Sequence, residues 1–193
     1  MEAPGSKELD QGFVIARGVW YLLGSSPSGE KVPEGLRTSI YPVNNAGLLK
    51  INIDPRKEGA RAISGLQMVF KLRESGVFEI YHLGSNGTLV FVLTAGGVET
   101  MRVLGKSDKG DGKLFSGDEV EGMRIVVPLV TNETALEMKL QRKTMRDAEV
   151  GKETDYFLLT RQVVPFSVYS EAVNRQASIL KTQTMPAVTV RRK

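Results

Sequence analysis

The strongest constraint in this chain is an alternation of apolar and polar side chains with a period of two, recurring from Ile40 to Tyr169. Between 135 and 142 it is plainest, because Leu136, Met138 and Leu140 alternate with Glu137, Lys139 and Gln141. Successive strand side chains point to opposite faces, so this pattern buries one face and wets the other, which a helix of period 3.6 does not do. Comparable stretches run over 40–43, 48–53, 63–72, 77–83, 89–95, 98–104, 123–130 and 156–169. Between them stand Asn44-Asn45, Asp54-Pro55, Glu74-Ser75-Gly76, Asn86-Gly87 and Gly96-Gly97, residue types that tolerate turn backbone. The spacing predicts an antiparallel meander over 77–104, and a short strand around Leu114 within the Gly-rich stretch 105–122.

The two ends read differently. Phe13, Ala16, Arg17, Trp20 and Tyr21 recur at spacings of three and four, which predicts a short helix within 7–23. Residues 24–35 are Gly-, Ser- and Pro-rich and read as a loop. Beyond Ser170, a candidate N-cap, Val173, Gln176, Ala177 and Leu180 predict a closing helix. About nine strands with helices only at the termini exclude a parallel α/β fold, where helices alternate with strands. The expected fold is therefore all-β, a sandwich or barrel of the double-sheet jelly-roll or small-barrel kind, forming one domain over 1–180, followed by a basic tail over 181–193.

Composition narrows the chemistry. The 193 residues contain no cysteine, which excludes disulfides, thiolate metal sites and thiol nucleophiles, and His82 is the single histidine, which excludes multi-His metal sites within one chain. No metal and no cofactor is therefore expected. No apolar run reaches the ~18–20 residues of a membrane helix. The start Met1-Glu2-Ala3-Pro4-Gly5 lacks the basic and apolar regions of a signal peptide, so an intracellular, cytoplasmic location is expected. There are 26 basic and 22 acidic residues. From Asn174 onward stand Arg175, Lys181, Arg191, Arg192 and Lys193 with no acid, leaving 21 basic against 22 acidic residues in the body. A nucleic-acid interface across the body is not expected, whereas Lys181, Arg191, Arg192 and Lys193 form a candidate contact for an anionic partner.

Several short segments carry a family likeness: Pro33-Glu34-Gly35 followed by Arg37 and Tyr41, Arg61-Ala62-Ile63-Ser64, Met68-Val69-Phe70-Lys71-Leu72, Ser75-Gly76-Val77-Phe78, Ala95-Gly96, Val126-Val127-Pro128, and Val163-Val164-Pro165-Phe166. Over about 19–170 this order resembles a short branch of the cupin superfamily with a Pro-Glu-Gly-Gly-type loop. The resemblance implies a jelly-roll barrel, a homodimer and a relation to sugar-modifying enzymes. The family's histidine after Phe is Glu79 here, and its acidic-aromatic-His segment is replaced by Leu89-Val90-Phe91-Val92-Leu93, so the usual metal cluster cannot be assembled.

Glu79, Tyr81 and His82 form the best chemical cluster. On a strand Glu79 and Tyr81 share one face and His82 takes the other, so either set can face inward. A carboxylate beside a phenol can act as acid and base, but a hydrogen-bonded buried pair is the commoner arrangement, and His82 is expected at the surface. Arg37, Arg61, Arg73, Arg102 and Arg124 lie on or near predicted strands, where an inward guanidinium would take a carboxylate or phosphate; the resemblance, which aligns Arg61 with the family's strand arginine, makes it the first choice, with Arg37 beside it. Asp108, Asp111, Asp118 and Glu119 miss calcium-loop spacing and read as solvated charge. The expectation is a non-catalytic cupin-like binding or assembly subunit, using edge strands and the tail for protein contacts. The alternative is a metal-independent isomerase, epimerase or small-acid-binding enzyme using Glu79, Tyr81 and His82.

Overall fold

The computed structural model describes residues 7–8, 12–52, 63–105, 110, 112–115, 120–129 and 134–183, without the side chains of 7–8, 113–115 and 176–183. Their strands are β1 (Lys7–Glu8), β2 (Phe13–Ile15), β3 (Trp20–Gly24), β4 (Gly47–Lys50), β5 (Met68–Leu72), β6 (Phe78–His82), β7 (Thr88–Thr94), β8 (Glu99–Leu104), β9 (Gly112–Phe115), β10 (Val120–Pro128), β11 (Thr134–Arg146) and β12 (Glu153–Pro165), followed by one helix, α1 (Ser167–Gln183). They form two six-stranded sheets. Sheet A has the order β1-β4-β3-β5-β6-β9 and sheet B the order β2-β12-β11-β10-β7-β8. Pairing is antiparallel except where β4 runs parallel to β1 and β3.

The alternation read from the sequence decides what lies between the sheets. Leu23, Phe70, Phe78 and Ile80 of sheet A meet Val90, Ile125, Val127, Leu136, Met138, Leu140, Phe157 and Leu159 of sheet B in one buried cluster. Phe78 and Phe157 pack edge to face across this layer, with centroids 5.0 Å apart. The outer face of sheet A is also buried, because the segment 25–46 folds over it. Short 3₁₀ turns at Gly29–Lys31, Glu34–Leu36 and Val43–Asn45 shape this cover. Val32, Ile40 and Ala46 pack on Trp20, Leu22, Val69 and Tyr81. On sheet B, Phe166 and the α1 residues Tyr169, Ala172 and Val173 cover one end of the outer face, against Leu89, Phe91, Val126 and Ala135.

The all-β class agrees with the sequence, but several finer expectations do not hold. The described residues form an open two-sheet sandwich of twelve strands, not a closed barrel of nine. Among the described residues of 7–23 no helix forms; β2 and β3 lie there in different sheets, separated by Gly18 at φ 76. Every residue of β3 is buried, since the strand is covered on both faces and so shows no alternation. Residues 40–43 contribute Ile40 to the cover instead of a strand.

The expected meander is also broken. β7 and β8 form a hairpin, closed by the Thr94 N–H to Val98 O bond and Gly97 at φ 76, but β6 pairs with β5 and β9 while β7 lies in the other sheet. Gln67, fully buried, directs that crossing. Its carbonyl accepts from the Leu83 and Gly84 N–H groups, and its side-chain amide donates to Thr88 Oγ1 at 3.1 Å and accepts from the Ser64 N–H at 3.0 Å. The carbonyl bonds continue the β5–β6 ladder past His82, and the side-chain bond ties the same residue to Thr88 at the start of β7. At the C-terminal end, α1 starts at Ser167, so Tyr169 is helical and the Ser170 hydroxyl donates to Ser167 O at 2.9 Å within the first turn.

Candidate functional site

Glu79 and Tyr81 come together on the outer face of sheet A. They stand two residues apart on β6 and share a face, and the Tyr81 hydroxyl donates to Glu79 Oε1 at 3.0 Å. The turn after β5 returns Arg73 to the same spot, where its Nε and Nη2 donate to Glu79 Oε2 at 2.8 and 2.6 Å. Both carboxylate oxygens are thus engaged, and Glu79 and Tyr81 are each 8% exposed. Burial raises the Tyr81 hydroxyl above its ordinary 10.0, with the Glu79 carboxylate adding to the rise and the Ser39 side chain and Arg73 opposing it. The phenol therefore stays protonated near neutral pH and serves as a donor to Glu79.

This cluster floors a groove of about 500 Å³ that is also lined by Gly18, Trp20, Ser39, Lys71 and Glu74. Lys71 lies directly across from Glu79 in the β5–β6 register and across from Trp20 in the β3–β5 register. Its ammonium sits over the Trp20 ring, 5.1 Å from the centroid. Gly112 on β9 leaves room for the Tyr81 ring, since a Cβ there would come within 3.1 Å of it.

His82 does not join this site. It faces the other side of β6, opposite Met68, and at 1% exposure it is buried rather than at the surface as expected. Its Nδ1 lies 3.3 Å from Thr88 Oγ1, within the Gln67 network. The strand before the sheet crossing carries it inward, so period two separates it from Glu79 and Tyr81.

The two arginines expected at a binding mouth also fall elsewhere. Arg37 donates through Nε to Val32 O and through Nη2 to Glu30 O, both at 3.2 Å, and pairs with Glu34 at 3.4 Å. It ties down the cover loop. Arg61 lies outside the described residues, as do Arg191, Arg192 and Lys193, and Lys181 is described only as backbone within α1. Among the described residues no group of three His, Cys, Asp or Glu is placed to hold a metal ion, and no helix is long and apolar enough to cross a membrane. Sequence reasoning weighed Arg73 but ranked Arg61 above it, and it missed Lys71, Trp20 and Ser39. Lys71 and Glu79 give no local signal, because the pairing that joins them spans a turn whose register a sequence does not state.

Sheet B presents a second surface. β11 and β12 pair along all thirteen positions, but β10 covers β11 only as far as Gln141 and β2 pairs with β12 only at 157–159. Residues 142–146 and 153–156 therefore project as a two-stranded arm, about 17 Å long at ~3.4 Å per residue. Arg142 pairs with Asp155 at 3.0 Å, and Thr144 Oγ1 donates to the same carboxylate at 2.9 Å. At the tip, Asp147 Oδ1 accepts from the Glu149 N–H at 2.8 Å, and Gly151 takes φ 67. Met145 and Val150 are 61% and 75% exposed on this arm. A groove of about 400 Å³ opens at its foot, lined among others by Phe91, Leu93, Glu99, Gly122, Arg124 and Lys143.

Comparison with protein-family models, with curated proteins and with solved structures found no match to the chain.

Proposed function

We propose that this protein is a non-catalytic assembly subunit that pairs with a second copy of itself through the β11–β12 arm, on a sandwich of cupin-like descent. The arm carries this reading. An isolated two-stranded ribbon is marginally stable in water, yet here one is held straight by Arg142, Thr144 and Asp155 while Met145 and Val150 stay exposed. A second copy fits because arm and groove lie side by side on one face of sheet B. Lys143, Met145, Thr154 and Tyr156 share that face by register, as do Phe91, Arg124 and Lys139 at the foot. A two-fold axis between two such faces lays each arm over the other's groove, which is the self-complementary arrangement an isologous dimer needs. The apolar Met145 then meets Leu93, the exposed apolar side chain of the groove.

A catalytic role for Glu79 and Tyr81 has less support, since the carboxylate is already saturated by Arg73 and the phenol, and His82 faces the opposite side of the strand. Size-exclusion chromatography with light scattering tests the assembly reading. The wild-type chain is expected to run as a dimer, and the double variant Met145→Glu, Val150→Glu as a folded monomer with unchanged circular dichroism. A wild-type monomer, or a double variant that stays dimeric, overturns it.

A further inference from the structure

We propose that the groove on the outer face of sheet A binds a small oxyanion, a carboxylate or phosphate group, between the Lys71 ammonium and the Arg73 guanidinium. This site is separate from the arm and does not depend on the assembly reading. Glu79 supplies the first reason. It is the acid directly across from Lys71, but its oxygens are taken by Arg73 and Tyr81. Lys71 instead sits over the Trp20 ring, and among the described residues no carboxylate oxygen lies within ion-pair distance of it. Its charge is left to the groove.

Arg73 supplies the second. It serves Glu79 through Nε and Nη2, which leaves Nη1 with its two hydrogens, and its side chain is 44% exposed. Lys71 on β5 and Arg73 in the turn after it thus both line one groove of about 500 Å³, beside the Ser39 hydroxyl. A guanidinium and an ammonium facing one opening are the donor set that carboxylate and phosphate oxygens accept. Glu74, on the wall of the same groove and exposed, opposes an anion there. Its removal should therefore strengthen binding.

The chain's single tryptophan is Trp20, so indole emission reads this groove directly. The experiment titrates the full-length protein with inorganic phosphate and, separately, with acetate, at constant ionic strength against a chloride control, while following emission. A saturable change is expected with one or both probes and not with chloride, and which probe gives it identifies the ligand class. Lys71→Met keeps an apolar stem on Trp20 and should weaken binding at least tenfold, whereas Glu74→Gln should tighten it. No saturable change in the wild-type protein, or equal affinity in the wild type, Lys71→Met and Glu74→Gln, overturns the proposal.

Discussion

Removing single groups from the Arg73, Glu79 and Tyr81 cluster separates its charge from its packing. Tyr81→Phe keeps the ring and removes one hydrogen bond to Glu79 Oε1, at a cost of about 1 kcal/mol. It should also change the alkaline limb of stability. Burial holds Tyr81 above 10.0 in the folded chain, so below that pH the phenol is protonated in both folded and unfolded states and stability is unaffected. Above it the unfolded chain loses the proton first, and stability falls by up to about 1.4 kcal/mol per pH unit until the folded pKa is passed. Tyr21, raised chiefly by burial, contributes in the same sense. Melting temperatures from neutral to alkaline pH should fall less steeply for Tyr81→Phe than for the wild type; equal slopes would contradict the assignment. Glu79→Gln leaves the Arg73 charge without its acid, and because Arg73 is 44% exposed, solvent screening limits the cost to about 1–2 kcal/mol by chemical denaturation. At this scale the sequence was informative about faces and not about partners. Period two placed Glu79 with Tyr81 and against His82, but the third member, Arg73, arrives through a turn, and the preferred Arg61 owed its rank to family likeness alone.

Elements were legible where one face is wet. β11 reads directly from Leu136, Met138 and Leu140, while β3, buried on both faces, offers five consecutive buried residues, and the chance spacing of Phe13, Trp20 and Tyr21 mimics a helix. Asn86-Gly87 carries a hairpin signal, yet the chain crosses between sheets there because Gln67 binds the crossing backbone. Gly84 is the tight point of that crossing, since a Cβ on it would run into the buried Gln67 amide. Gly84→Ala should cost about 1–3 kcal/mol in denaturant unfolding. A neutral result would show that Gln67 does not fix the crossing.

For the whole molecule, the load falls on the layer between the sheets. Leu23, fully buried there, should cost about 2–5 kcal/mol as Leu23→Ala, whereas Val14→Ala on the exposed face of β2 should stay within about 0.5 kcal/mol. The all-β class followed from alternation, but two open sheets and a closed barrel have the same local pattern and differ only in which strands pair. What that pairing leaves outside the sandwich is the arm, and its coverage by a second copy is the claim on which the functional account rests. Hydrogen–deuterium exchange at residues 142–156, followed as protein concentration is raised, tests it most directly. Protection in the arm should grow with concentration while that of Leu136, Met138 and Leu140 stays constant; an arm whose exchange is fast and independent of concentration contradicts the account.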